Sequence, residues 1–225
     1  MHPERRDAFA AEMSQARELY HRGDVEEAFS KLGGLLDAFD ASAAKAGVLI
    51  GYDRFFSAGL DLGEVVGYDR AEMAGFMGTF EAVLTRVFTC PRPIVAAING
   101  HALAGGCVLA LQADVRLMTD APVQIGLNET RLGIGMPAAV IESARIALPP
   151  ASIQALIAEG RIFSPKEALV AGLVDEVVPA ASFETRALAR AAELASIAGP
   201  GYAQVKAAIR APAIERTRAR GAPSS

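Results

Sequence analysis

Pro93-Ile-Val-Ala-Ala-Ile-Asn-Gly-His-Ala-Leu-Ala-Gly-Gly-Cys-Val-Leu-Ala-Leu111 decides how the chain must be read. The apolar run from Ile94 to Ile98 has the length of a buried strand. Asn99-Gly100 is a turn signal. Gly105-Gly106 carries no side chains, so backbone can approach another group closely there. Cys107 to Leu111 is apolar again and reads as the first turns of a buried helix. A glycine pair opening a helix aims free N–H groups, with the positive end of the helix dipole, at one spot. Such a spot can hold negative charge. The same residues also suit a tight strand-to-helix turn with no ligand.

The 225 residues are 52% hydrophobic and 21% charged, which fits one compact domain with room for an appendage. A net charge of -4 favours neither nucleic acid nor an anionic membrane surface as partner. Cys90 and Cys107 lie in apolar surroundings without a CxxC pair, so both are expected as buried free thiols in a reducing compartment. There is no run of 18 apolar residues, and the N-terminus lacks an apolar signal core. A cytoplasmic protein off the membrane is the expectation. The three histidines are not at metal-ligand spacing, and neither GxGxxG nor a P-loop occurs.

Residues 1–45 are helical in pattern, with Phe9, Met13, Ala16 and Tyr20 on one face and Val25, Ala28, Phe29 and Leu32 on the next. A helical hairpin is expected there, broken at Gly33-Gly34, with a further helix over Leu35 to Lys45. Val48 to Tyr52 reads as a buried strand. Phe55 to Leu62 then passes from strand to Ser57, Gly59 and the cap-type residue Asp61, a second possible helix start with open N–H groups. Met73, Phe76, Met77, Phe80, Val83, Leu84 and Val87 mark a periodic helix that Cys90-Pro-Arg-Pro93 ends. Strands are expected at Val115–Met118, Val123–Gly126 and Val174–Val178, and helices over 138–147, 182–198 and 201–210. Ser164-Pro-Lys-Glu167 has the form of a capping box. Strands alternating with helices through 48–178 argue for an α/β fold.

If the loops at 57–62 and 103–107 converge, their N–H groups make an oxyanion hole, worth on the order of 3 kcal/mol per donor in a dry site. Glu129 follows a short strand in an apolar stretch; burial there would raise its pKa and make it a better base. A glutamate after a strand is also a common surface or capping residue. His101 reads as a packing residue or as a contact to a ligand near the loop.

FSAGLDL, followed after a helix by PIVAAINGHALAGGCVLALQADVR, resembles the crotonase (enoyl-CoA hydratase/isomerase) superfamily. IGLNETRLGI and FSPKEALVAGLVDEVVP are similar to the mitochondrial-type Δ3,Δ2-enoyl-CoA isomerases within it. The resemblance runs over residues 46–210 and rests on these motifs jointly. It implies a spiral of ββα turns, 46–160, followed by a C-terminal helical region, 161–215, used in trimer or hexamer assembly; the Arg-rich tail, 216–225, is by its own composition expected to be disordered. It also implies an acyl-CoA thioester as partner, with coenzyme A part of the substrate and no separate cofactor. The oxyanion donors carried over are Leu60 and Gly105; Ala58, Gly59, Leu60, Asp61 and Leu62 line the thioester site, and Asn128 borders the acyl pocket. Hydratases of the family use two carboxylates. Here the first of those positions is Val108 and only the second, Glu129, is acidic. One carboxylate suffices for a 1,3-proton shift.

Residues 1–32 depart from the family's strand-rich start. The pattern points to a 3-enoyl-CoA to 2-enoyl-CoA isomerase. A hydratase or other crotonase reaction using Glu64, Asp69 or Glu142 as a further acid, and a CoA-binding protein with a disabled site, are the alternatives.

Overall fold

The structure is a computed structural model that describes residues 25–57, 59 and 67–221. The chain divides into two compact units, Met1–Ala44 with Leu60–Arg86 and Lys45–Gly59 with Val87–Ser225. Most of the hairpin expected over residues 1–32 lies outside the described residues.

In the first unit, helix α1 (Val25–Ala41) runs straight through Gly33-Gly34, where a break was expected. Two helical glycines cost only about 1 kcal/mol each. Arg86 offsets this by joining α1 to helix α2 (Arg70–Thr89): its guanidinium donates to Gly33 O at 2.9 Å and pairs with Asp37 and Asp40 at 2.8 and 3.0 Å. Asp69 caps α2, accepting from the N–H groups of Ala71 and Glu72 at 2.7 and 2.9 Å. This use as a cap accounts for one of the three acids considered above.

The second unit holds two four-stranded sheets. β1 (Gly47–Ile50), β3 (Ile94–Ile98), β5 (Val115–Thr119) and β8 (Glu176–Val178) form an all-parallel sheet in the order β1-β3-β5-β8. β2 (Phe55–Ser57), β4 (His101–Leu103), β6 (Ile125–Gly126) and β7 (Ile162–Phe163) form the other, with β2, β4 and β6 parallel and β7 antiparallel. From β1 to β6, successive strands thus alternate between sheets. A helix follows each pair: α2 after β1-β2, α3 (Gly105–Gln112) after β3-β4, and α4 (Ala138–Ala147) after β5-β6. This is the ββα spiral that the motifs imply. Every residue of β3 is buried, as a parallel strand covered on both faces must be. On one face of the first sheet, Val95, Ala97, Leu117 and Val178 pack against Phe183, Ala187, Ala191 and Leu194 of helix α7 (Phe183–Ile197).

Between α4 and α7 stand α5 (Pro150–Ile153), which runs on into one π turn over Gln154–Ala158, and α6 (Pro165–Val170), opened by the expected Ser164/Glu167 capping box. Pro150 therefore opens a helix as well as following one. Helix α8 (Pro200–Gly221) is longer than the periodicity suggested, and residues 216–221, expected in a disordered tail, are helical. The reason is electrostatic: Glu142 on α4 is 1% exposed and pairs with Arg216 at 2.5 Å and Arg220 at 3.4 Å. A second pin holds α8 at its middle. The Asp114 carboxylate takes Lys206 at 2.7 Å and Arg210 at 2.9 Å, with all three side chains at least nine-tenths buried. Arg210 also donates to Phe88 O and Gln112 O.

α3 lies so close to β2 that a Cβ on Gly106 would sit 2.0 Å from Ser57 O, a backbone atom that cannot step aside. Two outcomes are expected in urea unfolding. Asp114→Asn, which strands two buried cations, should lose about 3–5 kcal/mol. Gly106→Ala should lose about 3 kcal/mol through overpacking.

Candidate active site

Strands β2, β4 and β6 are neighbours and run parallel, so the segments that leave their C-terminal ends emerge at one edge of the sheet. Those segments carry Gly59, Gly105 and Glu129 respectively. Three stretches far apart in sequence are thereby set side by side, the arrangement by which parallel sheets build ligand sites.

The middle segment starts at Ala104, whose φ of 48° and ψ of -124° are unusual for a residue with a side chain. Strain of this kind costs on the order of 1–3 kcal/mol and persists where surroundings enforce it. Here the enforcing contact is the Ala104 N–H donating to Gly126 O at 3.0 Å, which ties this turn to the strand end that leads to Glu129. Ala104 precedes α3 and offers no side-chain cap. The N–H groups of Gly105, Gly106 and Cys107 have no acceptor within their own helix. Val108, the fourth, bonds Ala104 O at 3.1 Å.

Gly59 has a φ of +83°, and a Cβ there would lie 2.6 Å from both the Ala104 Cβ and the Gly105 N. The loop after β2 is therefore pressed onto the first amide of α3. Of the residues assigned to the thioester site by resemblance, Gly59 and Gly105 are brought together; Ala58, Leu60, Asp61 and Leu62 lie outside the described residues.

Glu129 is the first residue of a 3-10 turn, Glu129–Leu132, that Gly133 closes in the left-handed region. Its side chain is partly buried, and among the described residues Oε2 is shut off from solvent without a hydrogen-bond partner. Burial raises its pKa; the N–H groups of Glu129 and Asn128 pull partly the other way. Cys107 is fully buried, which drives its thiol pKa up, and the negative charge of Glu129 raises it further. That coupling places the Glu129 carboxylate within electrostatic reach of the first turn of α3. Asn128, expected at an acyl pocket, is exposed.

Val108, where a hydratase would carry its other carboxylate, is 3% exposed and apolar. Glu142 is held by Arg216, Arg145 and Arg220, and Glu64 lies outside the described residues. His101 packs on Phe55, ring centroids 5.6 Å apart, and its Nδ1 accepts the Gln124 N–H at 3.1 Å. It is a packing residue here. A cavity of about 300 Å³ elsewhere in this unit, walled by Asp114, Tyr202, Lys206 and Arg210 among others, shares no residue with the three segments. Among the described residues no cluster of His, Cys, Asp and Glu could hold a metal ion, and no helix is long and apolar enough to cross a membrane.

Sequence reading missed β4 and the strained Ala104. Three residues are too few for a periodic signal, and no residue preference announces a positive φ at alanine.

Residues 26–222 match the family model described as Enoyl-CoA hydratase/isomerase. Human mitochondrial enoyl-CoA delta isomerase 1 is 34% identical over 178 residues, covering 78% of this chain and 59% of that protein. The chain thus spans less than two thirds of that relative's length. Carnitinyl-CoA dehydratase of Salmonella enteritidis is 31% identical over 189 residues, 84% of this chain and 72% of that one. The crystal structure of human mitochondrial delta3-delta2-enoyl-CoA isomerase superposes with a TM-score of 0.79 at 31% identity, covering 85% of this chain and 77% of that chain. With the spiral, the site edge and these likenesses together, the chain belongs to the enoyl-CoA hydratase/isomerase family.

Proposed function

We propose that the protein shifts the double bond of a 3-enoyl-CoA to give a 2-enoyl-CoA, with Glu129 as the one proton carrier. The observation that carries this reading is the Oε2 of Glu129, shut off from solvent and without a hydrogen-bond partner among the described residues, on the segment that follows β6, next to the strand that leads into a helix whose second carboxylate position is Val108. Glu129 takes a proton from C2 of the substrate. The electron pair delocalises through the C3–C4 double bond and onto the thioester oxygen as a dienolate. The Gly105 N–H stabilises that oxygen, together with Leu60 N–H, the donor that resemblance adds. Glu129 then returns the proton at C4, and the new double bond lies between C2 and C3. The proton never leaves the site, so no ordered water is required and no redox cofactor enters the balance.

The relative named carnitinyl-CoA dehydratase keeps addition or removal of water in view as another reaction of the same scaffold. An apolar Val108 and an ion-paired Glu142 speak against it here. Assembly as a trimer or hexamer belongs to the same reading. Leu188 and Ile197 on α7 and Val205 and Ile209 on α8 are 56–64% exposed, apolar side chains that contact between subunits would cover.

Purified protein should convert 3-hexenoyl-CoA to 2-hexenoyl-CoA, and Glu129→Gln should lower kcat by about 10²–10⁴-fold. Undiminished turnover in that variant excludes the base; 3-hydroxyacyl-CoA formed from the 2-enoyl substrate at a comparable rate points to a hydratase; CoA binding without turnover of either points to a binding protein. The base must be ionised, so kcat/KM should fall as pH drops through an apparent pKa above the usual carboxylate range. Stability should move oppositely. A raised folded pKa means that ionised Glu129 opposes folding, a penalty absent below the unfolded value of about 4.3 and growing as pH rises to the folded pKa. Glu129→Gln should therefore melt higher than the parent at neutral pH and together with it near pH 3. Light scattering should give a mass of three or six chains.

A further inference from the structure

The turn that carries Glu129 is also held from outside the strand ladder. Its backbone closes on itself: Arg131 N–H donates to Asn128 O at 3.0 Å, Gly133 N–H to Thr130 O at 3.1 Å and Ile134 N–H to Glu129 O at 2.9 Å. Those bonds fix the turn's shape but not how it sits against the rest of the unit. Opposite it lies the C-terminal end of α5, where the π turn over Gln154–Ala158 is closed by the Glu159 N–H on Gln154 O at 3.1 Å. The last carbonyls of a helix have no acceptor role within it and carry the negative end of its dipole.

Two of these carbonyls are taken by the two residues that follow Glu129. Thr130 Oγ1 donates to Ile157 O at 2.6 Å, and Arg131 Nε donates to Glu159 O at 2.8 Å. The Arg131 methylenes lie over Gly160, so closely that a Cβ there would be 2.8 Å from Cγ. Gly160 itself has a φ of +62°. Both side chains are exposed, and exposed hydrogen bonds contribute little to global stability. They do contribute geometry. The carboxylate one or two residues away has an Oε2 shut from solvent and without a hydrogen-bond partner among the described residues, and it takes its hydrogen bonding from the N–H groups of Glu129 and Asn128, so where it sits follows where the turn's own backbone sits.

We infer that Thr130 and Arg131 are positioning residues for Glu129, clamping its turn onto the carbonyl end of α5 so that the carboxylate stays buried and aimed at the edge shared with Gly105. The inference rests on Glu129 being the base. The π turn belongs to the device: it presents Ile157 O and Glu159 O to the two donors at once. Arg131 also suits its place electrostatically, since a cation at a helix C-terminus is favoured.

The test uses the full chain with Thr130→Val, Thr130→Ser, Arg131→Met and Arg131→Lys, alongside Glu129→Gln. Arg131→Met keeps the methylenes over Gly160 and removes the donor. Expected for Thr130→Val and Arg131→Met is a fall in kcat of about tenfold to a hundredfold on 3-hexenoyl-CoA, with KM within about twofold, as misplacement of a reacting group produces. The acid limb of the pH profile should move toward the ordinary carboxylate range as the loosened carboxylate meets water. Thr130→Ser, which restores the hydroxyl, should return both kcat and the limb. Circular dichroism melts should stay close to the parent. The inference is overturned if kcat and the acid limb are unmoved in Thr130→Val and Arg131→Met, if the loss appears in KM alone, or if Thr130→Ser is no better than Thr130→Val. A variant that fails to fold is replaced in this comparison by its conservative partner, Thr130→Ser or Arg131→Lys, whose limb must then match the parent. An active Glu129→Gln overturns the base reading itself and the inference with it; an inactive Glu129→Gln beside fully active clamp variants overturns the inference alone.

Discussion

The whole site depends on backbone passing against backbone without side chains between. Ser57 O and the Gly106 Cα, and the Gly59 Cα and the Gly105 amide, meet at distances that no Cβ could enter. Chain segments can approach this closely only where a residue ends at its Cα. The gain is a set of N–H groups at the head of a buried helix, presented within a few ångströms of a second loop and the end of a third strand. Without that closeness there would still be an α/β spiral, but no single point at its edge where charge could gather.

A second consequence is that this edge is costly to maintain. Ala104 sits at a φ of 48°, and Glu129 keeps one oxygen dry and, among the described residues, without a hydrogen bond. Neither stabilises the fold. What compensates lies elsewhere in the unit: the all-buried β3, the packed face of α7, and the Asp114 and Glu142 pins that hold α8 to the link between α3 and β5 and to α4. The distribution is one in which rigid, well-packed elements bear the cost of a strained and partly desolvated edge. Cys107 illustrates it at one residue. Its thiol is wholly enclosed, pushed toward its neutral form by that burial and further by the Glu129 charge.

What was legible in the sequence were the features set by local pattern. Ile94–Ile98 announced a strand because a run of five apolar residues bounded by proline and Asn-Gly has few other readings. Ser164-Pro-Lys-Glu167 announced its cap because the bonds involved span three residues. Legibility ended where distant contacts decide. α1 continues through Gly33-Gly34 because Arg86 reaches it from α2, and α8 continues to Gly221 because Glu142 draws Arg216 and Arg220 inward. The three-residue β4 exists because β2 and β6 lie on either side of it. At the site, residue types were readable and their neighbours were not: nothing in LNETR foretold that threonine and arginine would reach the end of a helix some 27 residues on.

The alternation of strands between two sheets shapes how such a molecule can assemble. Each ββα turn adds one strand to each sheet, and β1, β3 and β5 pair in order, as do β2, β4 and β6. The middle turn, with its fully buried β3 and α3, makes ladders on both sides. Because α3 begins at Gly105, the most deeply enclosed part of the chain is also the part that opens onto the edge carrying Gly59 and Glu129.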